Sequence, residues 1–93
     1  MIVYMKKSYL KYENTYVEVG HKLYADLEKA KAEVRRYITD VISCTEEECS
    51  PSEASEEENI NDVLLYRADV SFISKVDGEK VAERFTIAKE TVY

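Results

Sequence analysis

SFISKVDGEKVAERFTIA, residues 71–88, sets Asp77-Gly78 between two runs in which apolar and polar residues alternate. A two-residue loop of this kind suits turns whose central residues take positive φ, so the stretch predicts an antiparallel hairpin. Pairing Val76 with Glu79 fixes an expected register: Ser74 faces Val81, Val70 faces Phe85 and Ala68 faces Ile87. One face then collects these apolar groups with Leu64, Tyr66 and Phe72, and Glu83 opposite Phe72 is its misfit. The other face collects Arg67, Asp69, Ser71, Ile73, Ala82, Arg84 and Thr86, a mixed set suited to a sheet that leaves one side wet.

A sheet with one apolar face needs a cover, and residues 26–42 provide it. Asp26 is a good N-cap, Glu28 favours the positive end of a helix dipole, and Leu27, Ala30, Val34, Tyr37, Ile38, Val41 and Ile42 recur at helical spacing. Glu28, Lys29, Lys31, Glu33, Arg35 and Arg36 fall mainly on the other faces, so the stripe reads as core packing. Before it lies a second hairpin, with Glu13-Asn14 at the turn, Leu10 pairing with Val17, and Tyr9, Lys11, Tyr16 and Glu18 pointing the other way. Lys6-Lys7 interrupts the alternation and predicts a bend or a strand edge, and Gly20 is read as the point where the chain turns towards the helix.

The order strand, strand, helix, strand, strand predicts an α+β domain: a four-stranded antiparallel sheet with one amphipathic helix across one face. The 93 residues suit a single domain, 1–93. No apolar run approaches the ~20 residues needed to cross a bilayer, and MIVYMKKSYL lacks a basic region followed by an apolar one. A cytoplasmic protein with no membrane contact is the expectation. Two cysteines are too few for a disulfide framework and fit a reducing compartment, with a bridge closing the small Cys44–Cys49 loop as the alternative.

The charge is unevenly distributed. Nine acids and no Lys or Arg lie between Tyr37 and Tyr66; the remaining ten acids against all thirteen bases leave +3. The net charge of -6 therefore comes from one segment. It is read as an acidic connecting loop at about 43–62, and a connection of that length inside a compact domain is usually functional or disordered.

Catalytic readings lack parts. The lone His21 reads as a surface residue in a loop, and two glycines cannot form a phosphate-cradling loop. A solvated glutamate run offers neither burial nor fixed distance for acid–base work. CTEEEC supplies one loose cysteine pair where structural zinc needs four ligands, so no metal or other cofactor is expected. Lys6, Lys7 and Lys11 lie near Tyr4, Tyr9, Tyr12 and Tyr16, as a single-stranded nucleic-acid binder would need, but the acidic segment would repel phosphates, and direct nucleic-acid binding is not expected.

Recognition of a protein with a basic surface remains. Glu46, Glu47, Glu48, Glu53, Glu56, Glu57, Glu58 and Asp62 form the candidate partner-binding segment, since clustered carboxylates can occupy sites that otherwise receive phosphates. The chain looks, in composition, like small acidic proteins of phages and mobile elements, some of which inhibit host nucleic-acid-binding machinery by mimicking phosphates; no motif carries this likeness. The alternative is a structural homo-oligomerisation module, a homodimer among its forms, using the open sheet face or an edge strand, with Tyr9, Tyr16, Arg67, Ile73 and Arg84 as candidate residues.

Overall fold

The computed structural model describes residues 1–48, 53–73 and 77–92, and for 43–48 the backbone alone. It is an α+β fold with five strands rather than four. In chain order these are β1 (Ile2–Tyr12), β2 (Thr15–Tyr24), α1 (Leu27–Glu48), β3 (Glu53–Glu58), β4 (Leu64–Ile73) and β5 (Lys80–Thr91). The sheet is antiparallel throughout, in the order β2-β1-β5-β4-β3, and α1 lies on one face.

The first hairpin has the expected pairs, Leu10 with Val17 and Tyr12 with Thr15, around a turn in which Glu13 takes φ +56. Lys6 and Lys7 do not interrupt β1, which runs on as a central strand between β2 and β5. The irregularity lies two residues on: Ser8 pairs with Gly20 and Tyr9 with Glu18, leaving Val19 as the extra residue of a bulge. Gly20 and His21 are therefore strand residues, not a loop, and β2 continues to Tyr24. Asp26 caps α1 as expected, its carboxylate accepting from the amides of Glu28 at 2.9 Å and Lys29 at 3.4 Å.

The β4–β5 register differs from the expected one by two residues. Val70 faces Glu83, Ala68 faces Phe85 and Tyr66 faces Ile87, and the last described pair is Ile73 with Lys80, so six residues separate the strands instead of two. The pairs expected for Ser74 and Val76 lie outside the described residues. A slip of two preserves which side chain points to which face, so alternation alone could not detect it.

The core is accordingly the anticipated one: Ala30 and Val34 of α1 against Tyr66, Ala68, Val70, Phe85 and Ile87, with Tyr4, Tyr24, Leu27, Ile38 and Val41 packed at its margin. Tyr37, assigned to the buried stripe, is 43% exposed, its ring edge-on to Phe85 at 5.2 Å. Lys31, assigned to the wet side, is 7% exposed.

Candidate functional site

The acidic segment is not a free loop. Its first part, 43–48, forms the last turns of α1, and its second, Glu53–Glu58, is β3, paired with β4 from Glu53 opposite Ser71 to Glu58 opposite Tyr66. Cys44 belongs to the helix backbone, while Cys49 lies outside the described residues. Glu, Ala and Ser are poor strand formers, so EASEEE has little reason to extend by itself. Cross-strand and helix partners hold it there.

Alternation sends Ala54, Glu56 and Glu58 towards the helix side of the sheet and Glu53, Ser55 and Glu57 towards the other. On the helix side, Glu56 accepts from the Arg35 guanidinium at 3.1 and 3.3 Å and from the Tyr66 hydroxyl at 2.6 Å. Glu58 accepts from Lys31 Nζ at 2.7 Å, with Arg35 at 3.4 Å. On the open side, Glu57 accepts from Arg67 at 2.6 Å. Arg35 also lies 5.6 Å from the centre of the Tyr66 ring.

These bonds shift proton affinities in predictable directions. The Arg35 guanidinium and then the Tyr66 hydroxyl hold the Glu56 carboxyl below its ordinary range. Lys31 does the same for Glu58, and the bond from Glu58 in turn raises Lys31 above the ordinary lysine value. Burial, with the bond to Glu56 second, pushes the Tyr66 phenol well up.

The other candidate acids are placed differently. Glu46, Glu47 and Glu48 occupy the C-terminal end of α1, whose last turn holds no base, so they stand at the negative end of the helix dipole. Asp62 is exposed in the turn before β4, where the Asn61 side chain accepts from the amides of Val63 and Leu64. The eight candidate acids thus divide between a helix end, an edge strand and a turn.

The second candidate set falls on the sheet face away from α1. By register Tyr9, Tyr16, Arg67, Ile73 and Arg84 share that face. Arg84 lies 4.1 Å from the Tyr16 ring centre and donates to Asp69 at 2.7 Å, while Lys7 pairs with Glu18 at 3.4 Å. The lysines weighed for nucleic-acid contact divide between the two faces, Lys6 on the helix side over Tyr24 and Lys7 and Lys11 on the open side. Among the described residues no group of three or more His, Cys, Asp or Glu could hold a metal ion, and no helix is long and apolar enough to cross a membrane.

Sequence reasoning missed Lys31 and Arg35 as the partners of β3. A signal existed. Four residues of helix rise about 6 Å and two of strand about 6.6–6.8 Å, so Lys-x-x-x-Arg on α1 matches Glu-x-Glu on a strand running the opposite way. Comparison with models of protein families, with curated proteins and with solved structures finds no match for this chain.

Proposed function

We propose that the protein is a non-enzymatic binding module that engages a basic surface of a protein partner through the acidic edge made by β3, extended by the acidic end of α1. The observation that carries this reading is β3 itself: an edge strand of six exposed residues, four of them glutamates, with no strand on its outer side among the described residues. Two copies of β3 side by side would set glutamate against glutamate, so the edge discourages self-pairing, whereas a strand bearing Lys or Arg is complementary to it. Glu57, bonded on the open side, stays available. An exposed ion pair contributes roughly 0.2–1 kcal/mol, so Arg67 can release Glu57 to an incoming cation at little cost. Inhibition of a nucleic-acid-binding protein, by occupying the cations that hold its phosphates, is the specific form of this activity.

An extended peptide of alternating Lys and Val, and its Glu counterpart, test the reading by amide shift mapping. The basic peptide should move the amides of 53–58, bind more weakly as salt rises, and associate more slowly with the E57Q variant, while the acidic peptide leaves the spectrum unchanged. Salt-independent binding, or a basic peptide that leaves 53–58 unmoved, removes it.

A second reading, self-association through the open sheet face, is favoured by one observation: that face carries no helix, and its Arg84, Arg67 and Lys7 are already paired with Asp69, Glu57 and Glu18, so covering it strands no lone charge among these. A mass that stays monomeric by light scattering at the highest attainable concentration excludes it.

A further inference from the structure

Between α1 and the β1–β5 part of the sheet lies a cleft of about 300 Å³ whose walls include Leu10, Val19, Val34, Tyr37, Glu83 and Phe85. Glu83 reaches it because strand alternation puts this residue on the helix side, where the observed register sets it between Leu10 of β1 and Val70 of β4. Its Oε1 accepts from the Tyr37 hydroxyl at 3.1 Å. Its Oε2 is buried with no hydrogen-bond partner, and among the described residues it is the one buried side-chain N or O atom in that condition. A buried carboxylate oxygen without a donor is costly, and in a mostly apolar setting the cost is met by a cation with matching donors.

The other charged groups of the cleft are already engaged. Glu33 accepts from the Tyr24 hydroxyl and lies 3.9 Å from Lys22, and the Lys6 ammonium stands 5.7 Å from the centre of the Tyr24 ring. Among the charged groups of the cleft, Glu83 is the one with a buried side-chain oxygen that has no donor.

We propose that this cleft binds a primary ammonium carried on a short apolar stem, the ammonium donating to Glu83 Oε2 while the stem packs against Leu10, Val34 and Phe85. Oε2 is closed to water in the unliganded protein, so the Tyr37 hydroxyl retains the carboxylate by its other oxygen while a small turn about that bond opens Oε2 to the ligand. A volume at the lower end of small-ligand sites suits a stem of a few carbons. The same group occurs on free alkylamines and at the end of a lysine side chain on another protein. This site lies on the opposite side of the helix from β3 and does not depend on the reading of that edge.

The test titrates the labelled protein with n-pentylammonium, n-pentanol and N-acetyl-lysine amide, following the amides of Leu10, Val34 and Phe85. Pentylammonium should bind about tenfold or more tighter than pentanol, the difference expected for a hydrogen bond to a charged group, and E83Q should abolish that preference while leaving pentanol unaffected. Lysine amide binding as well as pentylammonium assigns the site to a protein's lysine, and pentylammonium alone assigns it to a free amine. Equal binding of pentylammonium and pentanol, or an ammonium preference that survives in E83Q, overturns the proposal. Should E83Q fail to fold, the comparison on the unaltered chain decides.

Discussion

Among the described residues Lys31 is the charged side chain most withdrawn from water, 9% exposed against 42% for its partner Glu58. The two halves of this pair therefore fail differently when separated. Removing Glu58 leaves an ammonium enclosed by α1 and β3 whose remaining ion pair is with Glu28, 3.6 Å away and itself exposed. Removing Lys31 leaves a half-exposed carboxylate to water and to Arg35, 3.4 Å away, and, if methionine takes its place, keeps the aliphatic stem packed. Glu58→Ala should thus lower the urea midpoint more than Lys31→Met, without change in the slope of the transition. Equal losses would mean that the pair is as wet as an ordinary surface bridge.

Among the elements, β3 marks the limit of what the sequence revealed. Its neighbours were legible: the α1 stripe, its Asp26 cap and the Leu10–Val17 register all follow from local rules that the structure obeys. β3 follows none of them, because Glu56 and Glu58 are held by Arg35, Lys31 and Tyr66, whose positions exist only once the helix has crossed the sheet. Non-local anchoring also explains Glu83. Alternation assigned it to the core face as a misfit, but only the two-residue shift and the Tyr37 hydroxyl show how one of its oxygens is satisfied. The eight acids, read as part of one connecting loop, divide between a helix end, an edge strand and a turn, since composition reports charge without reporting the cations that fold onto it.

The same anchoring makes β3 sensitive to acid. Both Glu56 and Glu58 have folded-state values below the ordinary carboxylate range, so their contribution is complete above the unfolded value, near pH 4.5, and is lost as pH falls through the folded values. Exchange protection of the β3 amides bonded to β4, corrected for intrinsic rates, should decline below that pH before protection in β1 and β5 does. β3 protection that declines only together with the central strands would show that its side-chain bonds do not hold it.

At the level of the whole molecule, three tyrosine–glutamate bonds clip separate elements together: Tyr24 of β2 to Glu33 of α1, Tyr37 of α1 to Glu83 of β5, and Tyr66 of β4 to Glu56 of β3. Two of the three fasten the helix to the sheet, which matters because, among the described side chains of α1, only Ala30 and Val34 are fully buried there. Each phenol donates to a carboxylate, an arrangement that requires the tyrosine to keep its proton. Burial first, and the bonded glutamate second, push Tyr24 and Tyr37 up to about 12 and Tyr66 further in the same direction. In the unfolded chain these phenols ionise near 10. Below pH 10 both states hold the protons and the contribution is complete; above it the unfolded chain releases them first, so stability falls as pH rises from about 10 to 12. Tyr37→Phe removes one of them while keeping the ring against Phe85, so its stability at neutral pH should drop but its decline with alkaline pH should be shallower than that of the unaltered chain. Denaturation midpoints measured at steps across this range give both slopes, and identical slopes would show that the Tyr37 proton takes no part in holding α1 to the sheet.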